Sequence, residues 1–350
     1  MALSVARGEA LGPRTTLGLG GAAACFVEAQ TRDVVHDALA YAREHALPVH
    51  VLGGGSNLIV PDAGVSGLVL HVATRGVEVN AHHDHAMLTV EAGESWDALV
   101  ARSVEAGLLG VECLTGIPGL VGATPIQNVG AYGQEVSEVI DAVEVLDRQT
   151  YLTAWLSARE CGFGYRDSRF KREPERFVVL AVRFRLATSG RPTLRYPELQ
   201  RAVAARSATP SLHEVVETVR ALRASKGMLI DASFEPSAGS FFTNPVVSVR
   251  EADDVLARAR ARGTIVETRE LPRFDAGSGR VKLSAGWLIE RAGIVKGLRR
   301  GPVGVSSLHA LALVHHGGGT TEALMALADE VRQCVAAAFG VMLEIEPVRW

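Results

Sequence analysis

Apolar positions recur with helical spacing in several stretches of the chain. Residues 32–46 carry them at the i, i+3, i+4 spacing that places side chains on one helical face, and Pro48 follows the predicted end. A second stretch begins after Ser95, an N-cap residue type, and stops at Gly107. Four more helices are predicted, over 211–226, near 252–262, over 284–292 and over 320–339.

Shorter runs rich in Val, Ile, Leu and Phe lie between these helices, which is typical of strands. VEVLD at 143–147 and FVVLAVRFRL at 177–186 are clear examples. We predict further strands at 49–52, 67–72, 309–314 and 341–345. Short strands mixed with helices, without an internal repeat, predict an α+β fold.

The length of the chain, 350 residues, exceeds one comfortable hydrophobic core, so more than one domain is expected. Residues 188–210 contain three prolines after a polar start, and the capping box of Ser211 and Glu214 begins the helix that follows. We predict a domain over 1–190 with two α+β subdomains that divide near residue 70, a domain over 191–340, and a C-terminal strand and tail over 341–350.

The segment at 116–133, GIPGLVGATPIQNVGAYG, is the most unusual in the chain. Five glycines and two prolines in eighteen residues do not fit the interior of a helix or sheet, yet its apolar residues favour burial. Buried, irregular backbone has amides that need partners, and an anionic cofactor lying along them would supply these partners. A tight interdomain loop is an equally good interpretation of this segment alone.

A second glycine-rich turn follows the apolar run at 49–52. Gly53, Gly54 and Gly55 precede Ser56 and Asn57, and the chain then resumes with apolar residues. This strand–turn–strand pattern would let a pyrophosphate approach the backbone closely. It matches neither the G-x-G-x-x-G fingerprint nor the Walker loop, and taken alone it favours a hairpin or bulge turn. Two such loops in one chain favour a cofactor.

Charge and composition exclude several classes of protein. The net charge of −3 argues against a nucleic-acid-binding protein, so an anionic ligand would need a local cluster of cations. No apolar run is long enough to span a membrane, and residues 1–16 lack the apolar core of a signal peptide, so we expect a cytoplasmic protein. The four cysteines are scattered without a C-x-x-C pair, which is typical of reduced thiols in a cytosolic protein.

Histidine clusters are the candidate metal ligands. His82, His83 and His85 surround Asp84 between two strand-like runs, so a solvated hairpin turn is the better interpretation. The pair at 315–316 precedes three glycines and also favours a turn. We predict no metal.

Four motifs together carry a family resemblance. VLGGGSN at 51–57, the segment at 116–133, FGYRDS at 163–168 and GSFFTNP at 239–245 resemble the UDP-N-acetylenolpyruvoylglucosamine reductases in sequence and in order. These are flavoenzymes of bacterial peptidoglycan precursor synthesis. The resemblance extends from about residue 15 to the C-terminal tail.

The resemblance implies an FAD-binding fold similar to vanillyl-alcohol oxidase, followed by a smaller α+β substrate-binding domain. NADPH would give a hydride to noncovalent FAD, and the reduced flavin would pass it to the terminal alkene carbon of an enolpyruvyl ether, yielding UDP-N-acetylmuramate. The implied partners are therefore the UDP-sugar and NADPH. We expect a monomer that binds no nucleic acid and has no membrane span.

The flavin is expected on both glycine-rich loops. The residues implied are Gly53, Gly54, Gly55, Ser56, Asn57, Thr115, Gly116, Ile117, Pro118, Gly119, Gly122, Ala123, Gln127, Asn128, Gly130, Ala131, Tyr132 and Gly133.

Two catalytic residues follow from the motifs. Ser240 matches the proton donor of the family; a nucleophilic serine is less consistent, because GSFF is not a G-x-S-x-G elbow, and a turn serine beside core phenylalanines is the remaining alternative. Arg166 matches the catalytic arginine, whose guanidinium can pair with a carboxylate. An Arg166–Asp167 surface pair is the alternative.

The third catalytic residue is an acid near the C-terminus. The family commonly ends L-x-P-E-V-R, whereas this chain has LEIEPVR at 343–349. Counting forward from Leu343 places the acid at Glu346, with Glu344 as the second candidate. The usual lysine after GSFF is here Thr243, which puts any phosphate contact from that position in doubt.

Substrate binding is expected at five positions, namely Tyr165, Tyr196, Arg223, Lys226 and Asn244. Tyr196 matches a tyrosine that covers the nucleotide-sugar in one branch of the family. Arg223 and Lys226 lie where this branch places exposed cations on the diphosphate; an ordinary solvated helix end is the alternative. Asn244 is also expected to fix the geometry of its loop together with Pro245.

Two other functions are weighed against the reductase. A flavin-dependent alcohol or lactone oxidase of the same broad fold commonly links its flavin to a histidine near the pyrophosphate loop, and residues 53–60 contain none. An inactive nucleotide-sugar-binding protein would not need Ser240, Arg166 and Glu346 together.

Overall fold

Short helices and strands alternate along residues 3–229, 235–264 and 271–350, which are the residues described by this computed structural model. The helices there are α1 (Arg32–Glu44), α2 (Trp96–Glu105), α3 (Ala158–Cys161), α4 (Arg169–Arg172), α5 (Pro197–Ala204), α6 (Leu212–Ser225), α7 (Val249–Ala261), α8 (Ala285–Arg291) and α9 (Thr321–Phe339).

The strands complete the element order. They are β1 (Ala6–Ala10), β2 (Ala22–Ala29), β3 (Val49–Leu52), β4 (Leu58–Ile59), β5 (Val65–Val72), β6 (Val77–Ala81), β7 (His85–Glu91), β8 (Gly130–Ala131), β9 (Gln134–Glu135), β10 (Ile140–Asp147), β11 (Thr153–Ser157), β12 (Phe177–Ala187), β13 (Val246–Ser248), β14 (Arg273–Asp275), β15 (Arg280–Leu283), β16 (Arg299–Arg300), β17 (Val303–Val305), β18 (Leu313–His315) and β19 (Val348–Arg349). This mixture confirms the predicted α+β class.

The helix starts agree with the sequence because they depend on local chemistry. The Ser95 side chain accepts from the N–H of Ala98 and begins α2. Both bonds of the predicted capping box, between Ser211 and Glu214, are present at the start of α6. Gly340 ends α9 in the left-handed conformation, with φ of 74°.

Two predicted strands differ from the structure. The strand predicted at 341–345 is absent from this described segment except for one isolated bridge, which pairs Ile345 with Phe242. The strand predicted at 309–314 is only β18, because residues 306–312 form a turn closed by the bond from Ser306 N to Ala312 O. Apolar content alone does not produce a strand, because strand formation also depends on continuous pairing with a neighbouring segment.

The first compact unit comprises Met1–Glu9, Ala23–Gly55 and Ser66–Ile230. It holds a four-stranded sheet in the order β1-β2-β5-β3, in which β3 and β5 are parallel, and a five-stranded antiparallel sheet in the order β11-β10-β12-β7-β6. Its core includes residues of β5, β7, β10 and β12 and the fully buried Trp96. The predicted hairpin at His82–His85 is confirmed as the turn between β6 and β7.

The second unit comprises Ala10–Ala22, Ser56–Val65 and Asp231–Trp350. Its core surrounds α9 and includes Phe241, Phe242 and Trp287. Three-stranded sheets in the orders β13-β15-β14 and β16-β17-β18 belong to it. These units differ in bounds from the predicted division at residue 190, because α5 and α6 pack with Cys113 inside the first unit. The functional roles predicted for 1–190, 191–340 and 341–350 stay predictions.

None of the helices in the described ranges is both long enough and apolar enough to cross a membrane. Within the same ranges, no three or more His, Cys, Asp or Glu side chains are grouped so that they could hold a metal ion.

Candidate active site

The two glycine-rich loops of the first unit pack directly against each other. A Cβ added to Gly54 would lie 2.7 Å from the Cα of Gly119 and 3.3 Å from the backbone N of Leu120. A Cβ on Gly53 would instead make an ordinary 3.6 Å contact with Ala123. Gly54 is therefore required by the contact between the loops themselves, whereas the sequence analysis attributed it to a cofactor.

The first loop also presents backbone amides. In the described part of the chain, the N–H groups of Gly53, Gly54 and Gly55 donate to no protein acceptor. Gly55 has φ of 62°, in the left-handed region. Successive N–H groups in such a turn form a concavity that binds anions. This loop therefore fits the pyrophosphate of a dinucleotide such as FAD.

The second loop is anchored from α2. The Gly116 N–H donates to Oδ1 of Asp97 at 2.5 Å, and the Thr115 hydroxyl donates to the same oxygen at 3.3 Å. Arg220 pairs with Asp97 at 2.9 Å. At Gly116, where φ is 70°, a Cβ would lie 2.6 Å from Cδ2 of Leu229. Asp97 thus holds the loop, and the sequence analysis missed it because a first-turn aspartate is common in helices.

Arg166 occupies a left-handed turn, with φ of 51°. Its Nη2 donates to the carbonyl of Gly130 at 2.7 Å, and its Nη1 lies 3.5 Å from the carbonyl of Asn128. The Lys171 ammonium donates to the Arg166 carbonyl at 2.8 Å. The guanidinium carbon lies 5.5 Å from the centre of the Tyr165 ring. Arg166 and the glycine-rich segment 116–133 are therefore in direct contact.

The alternative of a surface pair between Arg166 and Asp167 is not what the structure contains. Asp167 forms its ion pair with Arg172. The Ser168 hydroxyl, fully buried, donates to the carbonyl of Ile126 at 2.6 Å and begins α4. The turn is held by these neighbours, which leaves the guanidinium of Arg166 directed to backbone carbonyls.

Two tyrosines predicted for cofactor and substrate lie together. The rings of Tyr132 and Tyr196 meet edge to face, with centroids 5.7 Å apart. Burial raises the pKa of Tyr132 to about 12 and also raises the pKa of Tyr196. Both phenols are therefore neutral hydrogen-bond donors at physiological pH.

Lys226 approaches the same tyrosines. Its ammonium lies 5.6 Å from the centre of the Tyr132 ring and pairs with Glu198 at 2.6 Å. A cation that contacts an aromatic face and a carboxylate is not an ordinary solvated helix end. Lys226 follows the last residue of α6, so the helix places it beside Tyr132 rather than in open solvent.

Arg223 differs from the exposed cation that the sequence predicted. It is only 6% exposed, and burial lowers the pKa of its guanidinium. Its Nη2 donates to the Met228 carbonyl at 2.9 Å, while its buried Nε donates to no acceptor among the described residues. That Nε would lie 3.2 Å from a Cβ at Gly116. A buried guanidinium that has no carboxylate partner among the described residues gains from binding an anion.

In the second unit, the serine motif pairs with the C-terminal segment. The Phe241 carbonyl accepts from the Glu346 N–H at 3.0 Å, and the Thr243 N–H donates to the Glu344 carbonyl at 3.0 Å. The backbone of Glu346 therefore lies beside the residue that follows Ser240. Glu344 is exposed, whereas Glu346 is half-buried. This geometry favours Glu346 over Glu344 as the acid.

Asn244 holds its own loop. Its Oδ1 accepts from the N–H of Ala285, the first residue of α8, at 2.9 Å. The Leu283 N–H donates to the Pro245 carbonyl at 2.9 Å. These two residues therefore fix the loop, as expected. A contact from Asn244 to the substrate stays a prediction.

A buried carboxylate missed by the sequence analysis holds the segment before Tyr196. Glu112 is fully buried, and its oxygens accept from the N–H groups of Gly110 and Thr193, both at 2.7 Å. Gln134 adds a bond from its Nε2 to the Thr193 hydroxyl at 3.1 Å. A glutamate flanked by Val111 and Cys113 was the available signal, because a charged residue inside an apolar run needs buried partners.

Comparison with known proteins agrees with this geometry. The family described as FAD binding domain matches residues 23–152, and the family described as UDP-N-acetylenolpyruvoylglucosamine reductase, C-terminal domain, matches residues 231–350. The UDP-N-acetylenolpyruvoylglucosamine reductase of Streptomyces coelicolor is 50% identical over 344 residues, covering 97% of this chain and 88% of the relative. That of Pseudomonas aeruginosa is 42% identical over 349 residues, covering 99% of each.

A solved structure extends the similarity to three dimensions. The crystal structure of UDP-N-acetylenolpyruvylglucosamine reductase (MurB) from Thermus caldophilus matches with a TM-score of 0.67 and 26% identity, covering 100% of this chain and 99% of that one. The resemblance found in the four motifs is thereby confirmed over the full length. The chain belongs to the UDP-N-acetylenolpyruvoylglucosamine reductase family.

Proposed function

We propose that the protein reduces the enolpyruvyl ether of UDP-N-acetylglucosamine to UDP-N-acetylmuramate, a precursor of peptidoglycan, with NADPH as the hydride donor. The observation that carries the proposal is the anion-binding turn at 53–55, packed on the glycine-rich segment 116–133, in a chain similar to these reductases over its whole length. FAD, when bound, supplies the chemistry of hydride transfer from NADPH to the alkene.

The reaction adds one hydride and one proton across a carbon–carbon double bond. The hydride reaches the terminal alkene carbon, which becomes a methyl group. Negative charge then develops on the adjacent carbon and spreads into the carboxylate. The protein must therefore stabilise that charge and deliver one proton.

The glycine-rich loops would hold the flavin through backbone. The amides at 53–55 fit its pyrophosphate, and Asp97 keeps the loop at Thr115 and Gly116 in place. Ser56 and Asn57 continue the first loop, and their contact with flavin is part of this proposal. A noncovalent complex follows, because residues 53–60 offer no histidine for a covalent link.

Arg166 would bind the substrate carboxylate. Its guanidinium is planar, permanently charged and suited to bidentate pairing with a carboxylate. Its two hydrogen bonds to backbone carbonyls fix its direction. Because charge grows on the carboxylate during the reaction, the pair becomes stronger in the intermediate than in the substrate.

Ser240 would give the proton. A serine hydroxyl is a weak acid, but the carbanionic intermediate is a strong base, so transfer is favourable. The Glu346 N–H donates to the carbonyl of Phe241, the residue after Ser240. From this neighbouring segment, Glu346 would stabilise the position from which Ser240 gives its proton. In this assignment the carboxylate of Glu344 takes no part.

Arg223 and Lys226 would hold the diphosphate of the nucleotide-sugar. The buried Nε of Arg223 has no acceptor among the residues that the structure describes, which supports an anionic ligand, since a buried guanidinium gains most from a charged partner. Tyr196 would cover the substrate, as in the branch with the covering tyrosine. We also propose that the protein acts as a monomer in the cytoplasm, where both NADPH and UDP-sugars are available.

Product analysis tests the proposed function. The purified protein with NADPH and the enolpyruvyl nucleotide-sugar should yield a product that is heavier by two hydrogen atoms, with one NADPH consumed per product. UDP-N-acetylglucosamine, which has no alkene, should consume no NADPH. Absence of the reduced product with flavin bound would contradict the proposal, and oxidation of an alcohol with release of hydrogen peroxide would indicate the oxidase instead.

A further inference from the structure

The turn that carries Arg166, residues 163–168 (the arginine turn), is joined to the segment 116–133 (the flavin segment) by four hydrogen bonds. They run from Asn128 Nδ2 to Gly164 O at 3.0 Å, from Arg166 Nη2 to Gly130 O at 2.7 Å, from Arg166 Nη1 to Asn128 O at 3.5 Å, and from Ser168 Oγ to Ile126 O at 2.6 Å. Asn128 takes part in two of the four.

Both protons of the Asn128 side-chain amide are used by protein partners. It is 1% exposed, and its amide donates to Oε2 of Glu135 at 2.8 Å and to Gly164 O. Its Oδ1 accepts from the Ser137 N–H at 3.1 Å. An amide nitrogen has two protons, so none remains for another acceptor. The cofactor contact that the sequence assigned to Asn128 is therefore not available from its amide nitrogen.

Both ends of this connection are held in an uncommon backbone conformation. Asn128 has φ of 45° and Arg166 has φ of 51°. Left-handed residues other than glycine persist where their surroundings over-determine them, and they are concentrated at functional sites. Arginine has no side-chain preference for this region, whereas asparagine tolerates it. The Asn128–Gly164 bond is thus one of the restraints that keep the arginine turn in place.

We propose that Asn128 is a positioning residue for Arg166, fixing its guanidinium for the carboxylate of the enolpyruvyl substrate. The proposal rests on the proposed function, since it requires Arg166 to meet that carboxylate. Gly130 supports the same geometry, because a Cβ there would lie 3.2 Å from Arg166 Nη1 and 2.9 Å from Cγ of Glu135. Misplacing such a group by about 1 Å can cost on the order of 10²-fold in rate.

Asn128→Gly is the most direct variant. Glycine removes the amide and still adopts positive φ, whereas alanine would add backbone strain of its own. Asn128→Asp keeps the size and the tolerance of positive φ but replaces the donor to Gly164 with an acceptor beside Glu135. Ser103→Ala is the matched control, because it removes a buried hydroxyl bond of the same unit outside the flavin segment, from Oγ to Leu99 O at 2.8 Å.

Ligand affinity gives a readout that does not depend on turnover. Calorimetry on the flavin-loaded protein would compare UDP-N-acetylmuramate, which carries the carboxylate, with UDP-N-acetylglucosamine, which does not. Asn128→Gly and Asn128→Asp should lower the affinity for UDP-N-acetylmuramate roughly tenfold or more, as expected for a misplaced charged pair. They should change the affinity for UDP-N-acetylglucosamine by less than about twofold. Ser103→Ala should change neither affinity.

A double-mutant cycle decides whether Asn128 acts through Arg166. Arg166→Ala should remove the preference for the carboxylate, and adding Asn128→Gly to it should weaken binding no further. Reduction of the alkene by pre-reduced flavin should slow about 10–100-fold in the Asn128 variants, while flavin reduction by NADPH stays near the wild-type rate.

Three results would overturn the proposal. The first is an equal loss of affinity for both nucleotide-sugars in the Asn128 variants. The second is a loss of affinity in the double variant that equals the product of the losses in the two single variants. The third is weakened FAD binding together with normal half-reactions in the molecules that retain flavin. If Asn128→Gly does not fold, Asn128→Asp decides by the same criteria. A wild-type protein that binds both nucleotide-sugars equally would contradict the proposed function itself, whatever the variants do.

Discussion

Ser240 follows Gly239, whose φ is 72°, and precedes Phe241, a fully buried core residue. Core packing therefore fixes the backbone at the hydroxyl. Flavin reduction by NADPH needs no proton from Ser240, whereas reduction of the alkene does. In Ser240→Ala we expect flavin bleaching by NADPH near the wild-type rate, and reoxidation by the enolpyruvyl substrate slowed by about 10²–10⁴-fold.

Stopped-flow absorbance of the flavin measures both half-reactions of the Ser240 variant. Ser240→Cys, a stronger acid of similar shape, should restore part of the rate. Arg166 and Glu346 variants should show the same asymmetry, because their charges meet only the second substrate. Equal impairment of both half-reactions would make the serine structural.

Lys226 is the cation whose contribution to nucleotide-sugar binding is most easily isolated. Charge-assisted bonds contribute about 1.5–3 kcal/mol, so Lys226→Ala should raise the KM for the enolpyruvyl substrate roughly tenfold or more. The K226A flavin content should not change. Glu198→Gln, which removes the partner of Lys226 but keeps the cation, should not raise that KM. An unchanged KM in Lys226→Ala would show that Lys226 does not bind the substrate and has only a structural role, as the partner of Glu198.

The residue types at these positions were predictable from the motifs, but their environments were not. Arg223 shows why. A cation near the end of a helix is expected in solvent, yet α6 packs so that Arg223 is buried beside the loop at Gly116. Which face of a helix is covered depends on residues more than a hundred positions away. Asp97 was missed for the same reason, since its partners, Gly116 and Arg220, reach it only in the folded chain.

At the scale of elements, the two loops define each other's shape. Gly54→Val would place its Cβ within 2.7 Å of the Gly119 Cα, so the loops must separate. We expect this variant to lose FAD and to lower the melting temperature of the protein as well. The loss of stability arises because the collision is with backbone that cannot rotate away.

Gly53→Ala is the matched control for Gly54→Val, because its Cβ has room against Ala123 at 3.6 Å. It should keep the wild-type melting temperature without flavin. Thermal unfolding and FAD titration of both variants check the account. If Gly54→Val binds FAD like the wild type, the loops are not the cofactor site.

Elements with local signals were predicted well, and elements with distant partners were not. The caps at Ser95 and Ser211 depend on residues three positions on, so the sequence indicates them directly. The segment at 341–345 has the composition of a strand, but among the described residues it forms a single isolated bridge, between Ile345 and Phe242, with the Glu344 carbonyl accepting from the Thr243 N–H beside it. Pairing of this kind is decided about a hundred residues away, which no local pattern contains.

Over its full length, the chain resembles the reductases of its family. We expect a yellow protein whose FAD is released intact on denaturation. Centrifugation of the acid-precipitated protein should leave all of the flavin in the supernatant. Flavin that stays with the polypeptide, or a colourless protein that binds no FAD on reconstitution, would contradict this expectation.

One anaerobic experiment follows both half-reactions in the wild-type protein. The flavin-loaded wild-type protein is first mixed with one equivalent of NADPH, and then with the enolpyruvyl nucleotide-sugar. We expect the flavin to bleach in the first step and to regain its oxidised spectrum in the second, while UDP-N-acetylglucosamine leaves it bleached. A flavin that NADPH does not reduce, or that stays reduced in the presence of the enolpyruvyl substrate, would contradict the assignment.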